Sequence, residues 1–180
     1  MNPVIEAIRA RRSIRSYKPD QVTEAELAAI LEAGCFAPSA MNGQPWHFTA
    51  VQDKAVLDRL SAQVKAVLAA MDNPRIKERL QDPAWHAFYN APTVVIVSGR
   101  QDALFHVTDC AAATQNLLLA AHSLGIGSCR VGLAARPFGG PRGAARAPGC
   151  AKPGGDKARE PVGVGGAGGG TAAAGAPGGG

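Results

Sequence analysis

Paired cysteines are absent from this chain. Cys35, Cys110, Cys129 and Cys150 are scattered and none belongs to a Cys-x-x-Cys pair. That excludes a zinc knuckle and gives no disulfide framework, so reduced thiols and a cytoplasmic setting are expected. No apolar run approaches the roughly 20 residues of a membrane helix, so no membrane partner is expected. The N-terminus lacks the apolar stretch of a secretory signal, because Asn2-Pro3-Val4 leads directly to Glu6, Arg9, Arg11 and Arg12. His47, His86, His106 and His122 show no ligand spacing, and no metal site is expected. There is no Gly-x-Ser-x-Gly elbow and no Walker loop, so serine-hydrolase and P-loop nucleotidase chemistry are not indicated.

Charge of one sign is also scarce. The formal excess is +5, but residues 1–138 hold 14 Lys and Arg against 12 Asp and Glu. Residues 139–180 hold 5 against 2 and no aromatic residue that could stack on a base. The basic balance therefore belongs largely to the tail, and a nucleic-acid partner is not expected. A tail-mediated nucleic-acid protein is the weakest functional reading.

What is present is a core. Of 180 residues, 46% are hydrophobic, enough for one domain. Asn2 as N-cap and Pro3 in the first turn start a helix over about residues 3–12, striped by Val4, Ile5 and Ile8. Thr23 and Glu26 form a capping-box signature for a second helix, which Gly34 is expected to stop. Trp46–Val51 reads as a strand. Helices are expected over about residues 54–71, 75–80 and 103–124. The last is apolar nearly all round and should be central. Between them, Thr93-Val94-Val95-Ile96-Val97-Ser98 is a β-branched run suited to a buried strand. Gly125-Ile126-Gly127 should end the long helix before a strand over Ser128–Val131.

After Phe138 the composition changes. Residues 139–180 contain 16 of the 22 glycines and, as large apolar residues, only Val162 and Val164. Burial of this kind cannot offset backbone ordering entropy, so a disordered low-complexity tail is expected over residues 137–180. A GC-rich gene read out of frame yields such a run, and translation of the coding DNA in its other frames tests that. Gly163-x-Gly165-x-x-Gly168 formally satisfies the dinucleotide fingerprint. It lies outside any strand–turn–helix context and is rejected.

Two N-terminal segments carry chemistry. Arg11-Arg12-Ser13-Ile14-Arg15-Ser16-Tyr17 clusters guanidiniums and hydroxyls where a helix ends. Complementing the helix dipole accounts for Arg11 and Arg12. It leaves Ser13 and Arg15 for another use, and guanidiniums grip phosphate bidentately. Pro38-Ser39-Ala40-Met41-Asn42-Gly43-Gln44-Pro45-Trp46 is turn-prone, and a plain connection is its simplest reading. Asn42 and Gln44 each donate and accept, which equally suits the edge of a polar ring.

In order and spacing these two segments resemble the nitroreductase family. The resemblance continues through Phe88-Tyr89-Asn90-Ala91-Pro92 and through Asp109–Cys129, covering about residues 1–136. It implies an α+β, three-layer fold with a central, mostly antiparallel sheet flanked by helices. It implies an FMN-binding domain over residues 1–136 that acts as a homodimer. The family passes hydride from NAD(P)H to FMN and on to an electron-poor acceptor such as a nitroaromatic or quinone. By resemblance, Arg11, Arg12, Ser13 and Arg15 hold the FMN phosphate and ribityl chain. Pro38, Ser39, Asn42 and Gln44 line the flavin, partly from the neighbouring subunit. Val131 and Gly132 offer backbone amides to flavin N5 and O4, and no side chain is assigned a catalytic role. Arg130 stands where the family frequently has Trp. Family members continue into a further strand and a basic pair. That strand is expected to be missing here, which opens a second reading: a flavin-binding but catalytically impaired protein.

Overall fold

Helix α1 begins where an asparagine and a proline cooperate. Asn2 Oδ1 accepts from the amides of Val4 (2.9 Å) and Ile5 (3.4 Å), and Pro3 occupies the first turn. The computed structural model describes residues 2–134 and, by their backbone, residues 159–168. Helix α1 spans Pro3–Ala10, α2 Glu24–Cys35, α3 Lys54–Ala69, α4 Pro74–Arg79 and α5 His106–Ser123. The strands are β1 (Trp46–Val51), β2 (Thr93–Arg100), β3 (Gly127–Arg130) and β4 (Arg159–Gly168).

The capping box of α2 forms as expected. Thr23 Oγ1 accepts from the Glu26 amide at 3.3 Å, and Glu26 Oε2 accepts from the Thr23 amide at 2.8 Å. Gly34 does not stop that helix; α2 runs through it to Cys35. A Cβ on Gly34 would lie 2.7 Å from Leu117 Cδ2 and 2.9 Å from the Phe48 ring. Its function is close approach of α2 to α5, and Asn116 of α5 completes that contact by donating to the Ala33 carbonyl at 3.0 Å. Helix α5 buries one face, including Cys110, Ala113, Leu117 and Ala121, while Thr108, Ala111 and Gln115 on the other side are exposed. It is thus less central than its composition suggests. Its end is as expected: Gly125 takes φ +75°, and the Ile126 amide reaches back to the Ala121 carbonyl at 2.9 Å.

The sheet has the order β1-β2-β4-β3, with every neighbouring pair antiparallel. Alternation along β2 splits the core into two. Val94 joins Leu57, Val64, Leu68 and Phe88 on the α3 side. Val95 and Val97 join Ile30, Cys110, Leu117 and Ile126 on the α2–α5 side. The fold is accordingly α+β, with helices on both faces of an antiparallel sheet.

Strand β4 corrects the expectation of disorder within the tail. Residues 159–167 pair with β2 along Thr93–Arg100, and residues 165–168 pair with β3 along Gly127–Arg130. A strand paired on both sides satisfies its backbone through the ladder, even where glycine supplies no side chain to bury. The register slips opposite Val97 and Ser98, whose partners are Gly163 and Pro161. Pro161 thus falls at a bulge, where a missing N–H is tolerated. A strand therefore follows β3 in the chain and lies between β2 and β3. The three glycines of the rejected fingerprint lie inside it, with no turn between them. The proposed boundary at residue 136 and the remainder of residues 137–180 lie outside the described residues.

Candidate functional site

The arginine-rich segment is stitched to the sheet. Arg11 turns out of the helix (ψ 130°), and Ser13 forms a parallel bridge with Ser128 of β3. The Ile14 amide donates to the Ser128 carbonyl at 3.0 Å. Gly127 permits this approach, since a Cβ there would sit 3.1 Å from Ile14. The Ser128 hydroxyl beside this bridge is buried and has no hydrogen-bond partner among the described residues. Arg12 turns its guanidinium back onto the carbonyls of Arg9 and Arg11, which is the helix-capping use of a terminal arginine. Arg15 is exposed and projects toward a cavity. Tyr17 closes the segment by donating to the Ile14 carbonyl at 2.6 Å. Burial, above all, pushes the Tyr17 phenol well above its ordinary range, so it stays neutral.

That cavity has a volume of about 400 Å³, and its walls include Arg15, Tyr17, Arg79, Trp85, His86 and Tyr89. A smaller void of about 20 Å³ shares Arg79, Trp85 and Tyr89 and extends to Val131. Arg15 and Val131, the residue after β3, thus lie on neighbouring cavities that share a wall. Gly132, next in the chain, is exposed, and a Cβ built on it would meet nothing within 4 Å.

The wall of the cavity is strained. Tyr89 and Asn90 adopt φ of 55° and 54°. A bulky residue there costs on the order of 1–2 kcal/mol. His86 holds them: its Nδ1 accepts from the amides of Phe88 and Asn90, both at 3.2 Å, and its carbonyl accepts from the Tyr89 amide at 3.1 Å. Nε2 of the same ring lies 3.5 Å from Asp58 Oδ1. Burial is the largest influence on His86 and lowers its pKa, against the opposing pull of Asp58.

The Pro38–Trp46 loop is a second strained element. It contains a 3-10 turn over Ala40–Asn42, and Met41, Asn42 and Gln44 take φ of 53°, 52° and 40°. Ser39 Oγ accepts from the Gln44 amide at 3.1 Å, and the Gln44 side chain donates to Asn42 Oδ1 at 3.2 Å. Buried Asp109 of α5 anchors the loop by accepting from the Ala40 amide at 3.2 Å. Pro45 is buried, and its carbonyl accepts from the Arg100 amide at 3.0 Å. Pro38, Asn42 and Gln44 are exposed and Ser39 is half-buried.

Within one chain, then, Arg15 lines the larger cavity and Val131 the smaller, and the two cavities share the wall formed by Arg79, Trp85, His86 and Tyr89. Arg11, Arg12 and Ser13 sit just upstream on the same segment. Pro38, Ser39, Asn42 and Gln44 do not line these cavities. The sequence reading missed Arg79, Trp85, His86 and Tyr89, although Tyr89 lay in a segment that carried the resemblance. It also missed Asp109, whose signal was a lone carboxylate on the buried face of an apolar helix. Among the described residues no group of His, Cys, Asp and Glu could hold a metal ion, and no helix is long and apolar enough to cross a membrane.

A model of the nitroreductase family matches residues 8–136. A protein of Methanothermobacter thermautotrophicus, with the provisional name NADH dehydrogenase/NAD(P)H nitroreductase, is 36% identical over 134 residues. That match covers 72% of this chain, and the chain spans 61% of that relative's length. The FMN reductase [NAD(P)H] of Bacillus subtilis is 32% identical over 142 residues, covering 73% of this chain and 55% of that protein. Among solved structures, a nitroreductase with bound FMN from Bacteroides fragilis superposes with a TM-score of 0.81 at 36% identity, covering 93% of this chain and 88% of that one.

Proposed function

Because the chain belongs to the nitroreductase family, we propose that it binds FMN and is an NAD(P)H-dependent oxidoreductase acting on electron-poor acceptors. The observation that carries this reading is the Ser13–Ser128 bridge, which ties the arginine-rich segment to β3 immediately before Val131 and Gly132. One ligand lying along that seam would meet guanidiniums at one end and backbone amides at the other.

The residues present suit FMN. Arg11 and Arg15 form no ion pair with a carboxylate among the described residues, which leaves them free for a phosphate or a polar ring edge. The unpartnered Ser128 hydroxyl and the open space at Gly132 lie on the same seam. When bound, FMN supplies two-electron chemistry, accepting hydride from NAD(P)H and returning it, with a proton, to the acceptor. This chain's part is to hold the phosphate through Arg11, Ser13 and Arg15, and to present the Val131 and Gly132 amides to the ring. Tyr17, kept neutral by burial, adds no competing charge.

The Pro38–Gln44 loop serves the site from a second copy. Its absence from the cavity walls and its strained, outward geometry support that arrangement. Phe36 and Met41, just before and within it, are 79% and 91% exposed, apolar side chains that a partner would cover. The reading as a flavin-binding but catalytically impaired protein rested on the altered C-terminus, and the pairing of β4 with β2 and β3 supports the active reading over it.

The test is the visible spectrum of the purified protein, with FMN stoichiometry, followed by NAD(P)H oxidation with and without a nitroaromatic. One FMN per chain and acceptor-dependent oxidation are expected. Colourless protein that gains no flavin absorbance when FMN is added would overturn the reading.

A further inference from the structure

The turn that walls the cavity at Arg15 is closed by the amides of residues 87–91, and two of them depend on one lone pair. The Ala87 amide donates to Ser61 Oγ at 2.9 Å, the Tyr89 amide to the His86 carbonyl at 3.1 Å and the Ala91 amide to the Phe88 carbonyl at 3.0 Å. The Phe88 and Asn90 amides both donate to His86 Nδ1, at 3.2 Å. Tyr89 and Asn90 hold φ of 55° and 54°, a geometry that persists only while surrounding contacts enforce it. The Tyr89 side chain aimed by this turn lines both cavities. Arg15 Cζ lies 6.0 Å from the centroid of its ring, and its hydroxyl accepts from Arg79 Nη2 at 3.1 Å. The turn thus supports the guanidinium assigned above to FMN.

His86 is placed as a switchable acceptor. Its side chain is only 12% exposed, its Nε2 is buried, and Asp58 Oδ1 of α3 lies 3.5 Å from that nitrogen. The Asp58 carboxylate already accepts from Lys54 Nζ at 2.9 and 2.7 Å, which leaves less of its charge to offset an imidazolium. Of the other charged groups lining the cavity with His86, Arg15 and Arg79 oppose a further positive charge and Asp82 favours it. Burial and Lys54 both lower the pKa of His86, against the pull of Asp58.

We propose that His86 is a positioning residue for the cofactor: its neutral ring latches Tyr89 and Asn90 into the turn that supports Arg15, and a proton on Nδ1 releases the latch and loosens FMN. The proton comes from solvent and takes the Nδ1 lone pair, so an N–H then faces two amide donors and both lose their acceptor. This inference rests on the flavoenzyme reading above and makes cofactor retention fall in acid.

The experiment measures the FMN Kd by flavin fluorescence from pH 7.5 to 5 in the parent protein, His86→Asn and His86→Leu. Asparagine keeps a side-chain oxygen for the amides two and four residues on and takes up no proton. The FMN phosphate titrates near pH 6 with every variant, so His86→Asn also measures that background. At pH 7.5, His86→Asn should bind FMN within about threefold of the parent and His86→Leu about tenfold more weakly. Between pH 7.5 and 5 the parent should weaken about threefold to tenfold more than His86→Asn. Equal pH dependence in the two proteins would overturn the proposal. So would His86→Asn as weak as His86→Leu at pH 7.5, because the imidazole would then act by packing and not as an acceptor. Amide hydrogen exchange in flavin-free protein separates failure here from failure of the flavoenzyme reading. Protection of the Phe88 and Asn90 amides, corrected for the intrinsic pH dependence of exchange, should fall toward pH 5 in the parent and hold in His86→Asn. That result with no FMN bound at any pH sustains the latch and rejects the flavin, whereas protection that holds in both proteins rejects the latch.

Discussion

His86 shows how much one buried ring can hold in place. Its Nδ1 accepts from two amides, so the proton of the neutral ring resides on Nε2, facing Asp58. Protonating Nδ1 would turn that acceptor into a donor and set it against the Phe88 and Asn90 amides. Burial already lowers the pKa of His86 in the folded state, whereas in the unfolded chain it titrates near 6.5. Below that point the unfolded chain binds a proton that the folded protein resists. The contribution of His86 is therefore complete above about pH 6.5 and is lost as pH falls toward the folded value. Thermal midpoints measured from pH 7.5 to 5 should fall, and His86→Ala should flatten that slope while lowering stability at pH 7.5. Glu26 and Asp58, whose pKa values are lowered by hydrogen bonds from Thr23 and Lys54, act in a lower window. Their effect should persist in the variant below about pH 4.5. None of this was legible in the sequence, because an isolated histidine gives no sign of which backbone amides will surround it.

The same limit recurs for whole elements. Caps and β-branched runs located α1, α2 and the first two strands, because these signals are local. Gly34 was misread because close packing and helix termination both call for glycine, and only the position of Leu117 distinguishes them. The Pro38–Trp46 loop was recognised as a turn, but its anchor, Asp109, is 69 residues away from Ala40. Three non-glycine residues at positive φ persist only when surrounding contacts enforce the geometry. Asp109→Leu removes the acceptor and leaves the Ala40 amide unpaired, a cost of about 1–3 kcal/mol. Its expected consequence is faster hydrogen exchange over residues 39–44 and about tenfold weaker FMN binding. Asp109→Asn keeps a carbonyl oxygen in place and should restore most of both. If Asp109→Leu leaves exchange in the loop unchanged, the anchor lies elsewhere.

For the molecule as a whole, the question is what residues 159–168 contribute. Composition argued that a glycine-rich stretch cannot order, and that argument counts only buried side chains. It omits the ladder. Strand β4 bonds to both β2 and β3, and with it removed β3 would keep, among the described residues, only the Ser13–Ser128 bridge as a backbone pairing. That bridge also positions the candidate flavin seam, so the sheet and the site depend on one element. Gly165 sits at the centre, opposite Val95 on one side and Arg130 on the other. Gly165→Pro would remove an N–H and constrain φ within an interior strand, at a cost of about 3 kcal/mol or more. Denaturant titration should then show a lowered midpoint, and FMN affinity should fall with it, because Val131 and Gly132 follow directly from β3. A midpoint and affinity unchanged by Gly165→Pro would mean that the tail contributes nothing to the sheet, and that composition alone had judged it correctly.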